Sequence, residues 1–429
     1  MGTIMIAAAI FLAAQDVPHA VGPLSAPTPE DAHHMRNVVL MLEHIDRRPG
    51  RSGDLSGTVE EWNGLFRILA RSHPAVAGEA RLERGRLAIA TTVRLPGDLW
   101  PGKLTLHVVL PAAETDPVPS ALRIGRLPLP PRTTLWLAGT LLDMRFGPNR
   151  GEAILGMLTG LQIDGDRVKF DVVLPITTQA LFNREALSRF AQQDMPTAAE
   201  VSRAVDNLRT ASRLGRLRAD GTLVPWLRAV VDHAHGEAML GHEDPARLMI
   251  AGLVALHQFC GSRHDVLRMF DPRTDAALPP RGELQPACGR VRLGGRGDLR
   301  GRFASAAAIN ALGTRNVAIA AGEIKELMDM SVWGFDFTDV AANNAGVRFA
   351  QTFLDAAWTD WPSLGAMLEV ETSVMIHLDG LPQGLSPDEF ADLFGEVDSP
   401  AYLAMIAEIE ARIDRLPIHS GGSGGGQEG

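Results

Sequence analysis

The segment 322–346 carries the residues of this chain that are best placed to do chemistry. Lys325, Glu326 and Asp329 follow Gly322 by three, four and seven positions, a spacing that places all four on one face of a helix. Carboxylates that lie close together near a lysine can shift one another's pKa and serve as general acid and general base. The first half of the segment therefore predicts a candidate site for hydrolysis.

The second half of the segment predicts a partner helix. Asp336 stands at a helix-cap position, and Asp339, Asn343 and Gly346 share one face of the helix that follows it. The turn at 330–335 is short, so the two helices are expected to pack as a hairpin, with the glycines permitting close approach. The expected polar cluster consists of Lys325, Glu326, Asp329, Asp339 and Asn343.

Two interpretations of this cluster remain open. In the first, Glu326, Asp329 and Asp339 are catalytic carboxylates. In the second, the cluster locks two helices in register, because buried charges are costly unless they pair with one another. The chain shows no recognisable nucleophile or matching histidine beside the cluster, which favours the structural interpretation.

A second candidate is a Pro/Gly-rich connection at 271–302 that is unusually rich in arginine. Guanidinium groups bind phosphate, carboxylate or acidic sugars through forked hydrogen bonds. The alternative is an ordinary exposed loop, because only three of the 41 basic residues are lysines. The predicted ligand-binding residues are Arg300, Arg302, Lys325 and Asn343. The arginines of the strip are Arg273, Arg281, Arg290, Arg292, Arg296, Arg300 and Arg302.

The sequence predicts neither a metal site nor a cofactor. The histidine-rich stretch at 232–244 has enough nitrogen and oxygen atoms, but its spacing is poor. His233 and His235 are two positions apart and cannot share a helix face.

Composition limits the classes of function. The 429 residues are 45% hydrophobic, enough for two or three domains with real cores. The formal net charge of −10 argues against nucleic acid as a partner. The oligomeric state is not predicted.

The N-terminus and the cysteines indicate the compartment. An apolar run at 4–14 predicts a signal peptide within residues 1–20, and no other run approaches the length of a membrane span. Cys260 and Cys288 agree with an oxidising compartment if they pair; two unrelated buried thiols are the alternative. Together these features predict a periplasmic or secreted protein.

The first domain is predicted at 58–195, after a leader and linker at 21–57. Thr58 and Glu61 form a capping-box pattern at a helix start, and alternating apolar residues then predict strands. A helix is also expected at about 150–161. The pattern resembles small envelope domains in which a curved sheet and a long helix enclose lipid or face a membrane; a self-filled core is the alternative.

The second domain is predicted to be helical and to cover 196–418. Its helices include those expected at 245–260 and 302–331, and a flexible Gly-rich tail is predicted at 419–429. The fold class is therefore α+β: an N-terminal antiparallel sheet with helices, followed by a mainly α-helical domain.

A family resemblance is carried by the pattern Gly322-x-x-Lys-Glu-x-x-Asp329 with Gly334-Phe-x-Phe-x-Asp339 and Ala345-Gly346. It resembles the signature of bacterial envelope proteins of the YfiM type and, more remotely, of VanZ-like proteins. The resemblance covers roughly 243–415 and implies an envelope location and a helical module, but no established reaction. These relatives carry a histidine where this chain has Arg302, so the resemblance implies that any activity of that histidine is lost or altered here.

The leading hypothesis is an exported envelope protein that binds, or structurally supports, an envelope lipid or glycan, with peripheral membrane contact as a further expectation. The alternative is a hydrolase acting on an envelope glycan or lipid. Its acid and base would be Glu326 with Asp329 or Asp339, while Lys325 or Arg302 held an anionic group.

Overall fold

The computed structural model describes residues 21–22, 24–94, 103–115, 117–175, 184–241, 243–262 and 280–420. The expected signal peptide at 1–20, the end of the expected tail at 421–429 and Arg273 lie outside these ranges. The chain divides into two compact units, Met1–Leu181 and Phe182–Gly429. The fold class is α+β, as predicted.

The described part of the first unit contains two antiparallel sheets. One has three strands in the order β1-β8-β7, and the other has five in the order β2 to β6. The strands are β1 (Ser52–Thr58), β2 (Val76–Glu83), β3 (Arg86–Arg94), β4 (Lys103–Pro111), β5 (Ala121–Ile124), β6 (Leu127–Pro128), β7 (Leu158–Asp164) and β8 (Arg167–Val173). The helices are α1 (Pro29–Asp46), α2 (Val59–Ser72), α3 (Pro131–Phe146) and α4 (Arg150–Leu155).

Local sequence explains the best-predicted parts of this unit. Thr58 and Glu61 form both hydrogen bonds of the capping box at the start of α2. Arg84 and Gly85 adopt φ values of 51° and 74° between β2 and β3, the left-handed conformation that a two-residue hairpin connection favours. Alternating apolar residues such as Leu87 and Leu110 then fill the core.

Two expectations about the first unit were wrong. The expected leader and linker at 21–57 contain α1 and most of β1, which pairs with β8 from Ser52 to Thr58. This strand has little apolar alternation of its own, and its partner lies far along the chain. The helix expected at about 150–161 ends at Leu155, after which the chain enters β7.

The described part of the second unit is mainly helical. A short parallel pair, β9 (Asp220–Thr222) and β10 (Arg290–Arg292), accompanies the helices. The helices are α5 (Arg184–Ala191), α6 (Ala198–Arg213), α7 (Val224–Met239), α8 (Pro245–Cys260), α9 (Arg281–Leu284), α10 (Gly297–Leu312), α11 (Arg315–Asp329), α12 (Phe337–Asp355), α13 (Trp361–Ala366), α14 (Pro387–Phe394), α15 (Pro400–Asp414) and α16 (Pro417–Ser420).

The single helix expected at 302–331 is two helices, α10 and α11. The chain leaves the helical conformation at Gly313, and the Thr314 hydroxyl accepts a hydrogen bond from the main-chain N–H of Val317. This threonine cap starts a new helix. The break allows α10 to pack beside the α11–α12 hairpin.

Two glycines set the distances between these helices. A methyl group built on Gly322 of α11 would lie 2.5 Å from the Asn343 side chain of α12, so this glycine permits the close hairpin that was predicted. A methyl group on Gly346 would lie 2.2 Å from the carbonyl oxygen of Phe303. The second glycine therefore serves the contact between α12 and α10.

Cys260 and Cys288 form a disulfide, with their Cα atoms 5.3 Å apart. It joins the end of α8 to the 3-10 turn Gln285–Cys288, and both cysteines are fully buried. Closing a loop of this length stabilises a protein by about 3–4 kcal/mol in the chain-entropy model. Among the helices of the described ranges, none is long and apolar enough to cross a membrane.

Replacing Gly346 with alanine is expected to destabilise the protein by about 1–3 kcal/mol or more, because the new methyl group meets a main-chain oxygen and the helices must separate. Urea unfolding measures the loss. The matched control is Gly236→Ala in α7, where nothing lies within 4 Å, and a gain of about 0.5–1 kcal/mol is expected from helix propensity. Equal effects of the two changes would contradict the close contact.

Candidate functional site

Three helices bring the charged residues of the candidate site together. The end of α11 supplies Glu326 and Asp329, the first turn of α12 supplies Asp339, and α10 supplies Arg302. Asp336 caps α12 as predicted, because its carboxylate accepts hydrogen bonds from the main-chain N–H groups of Thr338 and Asp339.

Arg302 is the centre of this cluster. Its Nη2 atom lies 2.8 Å from Asp339 Oδ2 and 3.3 Å from Asp329 Oδ2, and it also contacts Glu326 Oε1. Its Nε atom donates a hydrogen bond to Asp339 Oδ2 at 3.0 Å. The Arg302 side chain is only 11% exposed, so three carboxylates share one largely buried cation.

A second arginine extends the network. Arg296 donates from Nη2 to Asp339 Oδ1 at 3.1 Å and from Nη1 to Asp336 Oδ2 at 3.0 Å, and it also pairs with Asp298. Asp339 therefore binds a different guanidinium group through each of its oxygens. Such pairing offsets the cost of removing charges from water.

Glu326 is the most deeply buried acid of the cluster, with 3% of its side chain exposed. Its Oε2 atom accepts a hydrogen bond from the main-chain N–H of Asp336 at 3.1 Å. Its Oε1 atom touches Arg302 but receives no well-oriented hydrogen bond within the described structure, so this contact is an ion pair alone. When the carboxyl group is charged, this buried oxygen therefore lacks a hydrogen-bond donor.

The surroundings of Glu326 favour its protonated form. Burial is the largest cause and raises the pKa of Glu326 to about 7, against the opposing charges of Arg302 and Lys325, while the negative charge of Asp339 raises it further. Burial also raises the pKa of Asp339 above its ordinary value. We assign the raised pKa first to Glu326 because its side chain is the more buried of the two.

The other predicted residues lie in three places. Lys325 contacts Asp329, one turn further along α11, and so belongs to the cluster. Asn343 does not belong to it: its side-chain amide packs against Gly322 and donates to the carbonyl of Ala318 at 3.3 Å. Asn343 lies one turn further along α12 than Asp339, so it faces Gly322, which lies one turn before Glu326 in α11.

Arg300 binds main-chain carbonyl groups. Its guanidinium donates to the carbonyl oxygens of Cys260 at 3.0 Å, Cys288 at 2.6 Å and Val291 at 3.1 Å. Burial lowers the pKa of Arg300 below its ordinary value. These contacts support a role in holding the two disulfide-linked segments together rather than the expected role in binding a ligand.

The cluster lines a cavity of about 930 Å³, which we call the Arg302 cavity. Its described wall contains five acidic and four basic side chains, together with Trp333, whose ring is well exposed. The charged residues of the wall are Asp298, Glu326, Asp329, Asp336, Asp339, Arg296, Arg300, Arg302 and Lys325. Asp298 and Asp329 therefore border an accessible space, whereas Glu326 is almost completely covered.

Sequence reasoning missed several residues of this site. Asp298 lies four positions before the predicted Arg302 on α10, a helical spacing that could have indicated that Asp298 also faces the cavity. Arg296 was considered only as part of an arginine strip, and Trp333 only as part of a turn. No local pattern shows that these residues meet, because their contacts cross three helices.

Within the described ranges, no group of three or more His, Cys, Asp or Glu side chains is arranged to hold a metal ion. Comparisons of the chain with family models, curated proteins and solved structures found no match.

The raised pKa of Glu326 predicts how stability changes with pH. Between the ordinary value of 4.5 and about 7, the folded protein holds a proton that the unfolded chain has released. The free energy of unfolding should therefore fall as pH rises from 5 to 8, relative to that of Glu326→Gln. Urea unfolding at each pH tests this. The exposed-site variant Glu369→Gln should follow the wild type; parallel curves for wild type and Glu326→Gln would contradict the assignment.

Removing Arg302 should destabilise the protein, because the three carboxylates that it contacts would then repel one another. Arg302→Met is expected to cost about 3–5 kcal/mol at pH 8, because buried carboxylates lose their shared cation. Adding Glu326→Gln and Asp339→Asn should recover part of this loss. A triple variant that is less stable than Arg302→Met would be evidence against the network. As a control, Arg209→Met breaks a surface pair and should cost within about 1 kcal/mol.

Proposed function

We propose that the second unit binds a glycan of the cell envelope in the Arg302 cavity, and that the chain works as an exported binding module. The observation that carries this proposal is a cavity whose acidic and basic side chains are mostly paired with one another and whose wall includes an exposed tryptophan. Each feature selects among the ligand classes that the sequence left open.

The paired charges argue against a strongly anionic ligand. Arg296 and Arg302 already bind carboxylates, and Arg300 binds main-chain carbonyl groups. A phosphate or an acidic sugar would have to compete with these partners. A ligand rich in hydroxyl groups need not do so, because each hydroxyl can donate to a carboxylate and accept from a guanidinium group.

The same wall argues against a lipid chain. Nine of its described residues are charged, and its apolar side chains are few: Phe259, Pro286 and Trp333. An acyl chain would leave those charges without water. The lining therefore supports a sugar over a lipid as the occupant.

Trp333 gives the cavity a surface on which a sugar ring can lie. It follows α11 in the turn to α12 and is 78% exposed. A large aromatic ring supplies contact area at low cost in conformational entropy. Among the three acids that contact Arg302, Asp329 is the most accessible for hydrogen bonds to hydroxyl groups, with 25% of its side chain exposed.

The proposed compartment is the periplasm or the exterior of the cell. The buried Cys260–Cys288 disulfide supports it, because disulfides persist in oxidising compartments and are rare in the cytosol. The apolar run at the N-terminus is the second supporting feature.

A second candidate function is hydrolysis of the bound glycan. Glu326 supports it, because a carboxyl group with a pKa of about 7 can donate a proton near neutral pH while Asp339 acts as base. Access is the opposing consideration, since Arg302 and the helices cover most of Glu326. Retained binding with lost turnover in Glu326→Gln would favour this second function.

Screening the full chain against envelope glycans, with affinities measured by calorimetry, tests the binding proposal. Trp333→Ala should weaken binding by about tenfold or more, because the stacking surface is lost. Trp333 is exposed, so this change should leave the protein folded. The neighbouring Val332→Ala also removes an exposed apolar group and should leave the affinity unchanged. Binding only to phospholipid vesicles, or equal affinities for wild type and Trp333→Ala, would contradict the proposal.

A further inference from the structure

A serine on the cavity wall and two buried side chains behind it have chemistry that glycan binding does not use. Ser262 lines the Arg302 cavity and is half-buried, just after α8 ends at Cys260. We infer that Ser262 is a nucleophile toward carboxylic esters that enter this cavity, activated through Ser305 by His257.

The three side chains form a continuous hydrogen-bonded chain from the cavity to the interior. Ser262 Oγ lies 3.0 Å from Ser305 Oγ, which lies 3.2 Å from His257 Nδ1. With the imidazole proton on Nε2, Ser262 donates to Ser305 and Ser305 donates to His257. Nucleophilic serines are activated in this manner when a base can take the hydroxyl proton.

The main chain holds the relay in register. The N–H of Ser262 also donates to Ser305 Oγ, at 3.0 Å, so the second hydroxyl has two donors and one acceptor. This arrangement uses the donor and both acceptor positions of Ser305. Ser305 is therefore fixed between the nucleophile and the base and cannot turn away without losing a hydrogen bond.

Two glycines make room for the relay. A methyl group on Gly261 would lie 2.1 Å from His257 Nδ1, and one on Gly301 would lie 3.2 Å from the main-chain nitrogen of Ser262. Larger residues at either position would move the imidazole or the serine. Both glycines border the cavity, at the end of α8 and in the first turns of α10.

The disulfide and Arg300 fix the chain immediately before the nucleophile. Cys260 is bonded to Cys288, and Arg300 donates to the carbonyl oxygens of both. Ser262 follows Cys260 by two positions. The disulfide thus has a functional consequence beyond stability, because it places a serine hydroxyl on the wall of the cavity.

The reaction that this relay can support is ester hydrolysis in two steps. Ser262 Oγ attacks the ester carbonyl carbon; its proton passes to Ser305 Oγ, whose own proton passes to His257 Nδ1. The tetrahedral intermediate collapses, the ester C–O bond breaks, and the leaving alkoxide takes a proton from Ser305 Oγ, which recovers one from His257 Nδ1. Water then attacks the acyl carbonyl carbon and gives a proton to Ser305, which passes its own to His257. The second intermediate collapses, Ser262 Oγ leaves and takes a proton back from Ser305, and the carboxylic acid is released.

The substrate class is an ester of a polar alcohol, which suits the charged lining of the cavity. The inference does not depend on glycan binding, because it requires only that an ester reach Ser262. The two can therefore fail separately: a chain that binds glycan without reacting refutes this inference alone.

A fluorophosphonate probe and p-nitrophenyl acetate, applied to the full chain, test the inference. The probe should attach to Ser262, located by mass spectrometry, and Ser262→Ala should abolish both labelling and acetate release. Ser305→Ala and His257→Gln should slow labelling by about a hundredfold or more, since both remove proton transfer from an intact nucleophile. Ser305→Thr keeps the hydroxyl and should restore much of the rate.

The controls separate chemistry from folding. Ser363→Ala changes an exposed serine on α13 and should label as the wild type does. Urea unfolding checks each variant, and Ser262→Ala removes only one half-buried hydroxyl group. Absence of labelling in the wild type, labelling at a different serine, or undiminished labelling of folded Ser305→Ala would overturn the inference.

Discussion

The convergence of three carboxylates on Arg302 is the interaction on which the second unit depends. Two of these acids come from α11 and the third from α12, so one guanidinium group from α10 ties three helices together. A lysine could not replace it in this role, because the planar guanidinium presents several donors in a fixed geometry. The hydrophobic packing of the helices brings the three carboxylates close together. The positive charge of Arg302 offsets the repulsion among them.

The main features of the fold could be predicted from the sequence where a pattern repeats locally. The helix from Pro245 to Cys260, the capping box at Thr58 and the hairpin of α11 with α12 follow from apolar spacing and cap residues. Strand β1 could not be found in this way, since its stability comes from pairing with β8 more than a hundred residues later. The break at Gly313 was not predicted, because apolar residues continue on both sides of it.

At the candidate site, too, the sequence predicted local groupings but not the contacts between distant parts of the chain. Helical spacing correctly brought Lys325, Glu326 and Asp329 together, and the hairpin added Asp339. Spacing on a single helix does not state which neighbour faces it, so Asn343 was expected beside the acids but packs on Gly322. Arg302 was expected to hold a ligand, whereas its first partners are the acids of the protein itself.

The structural and the chemical interpretations of the cluster are compatible for a physical reason. Ion pairs to Arg302 and Arg296 satisfy both oxygens of Asp339, while burial leaves Glu326 with one poorly satisfied oxygen and a pKa of about 7. If every carboxylate oxygen of the network were fully paired, the network could only hold the helices together, since no proton could move without breaking an ion pair or a hydrogen bond. Here, among the described acids of the network, only Glu326 has a poorly paired buried oxygen, so the network can hold three helices together while Glu326 exchanges a proton near neutral pH. Arg302 contacts Glu326 and helps to cover it, so in the proposed hydrolysis this side chain would have to move before the proton could reach a bound ligand.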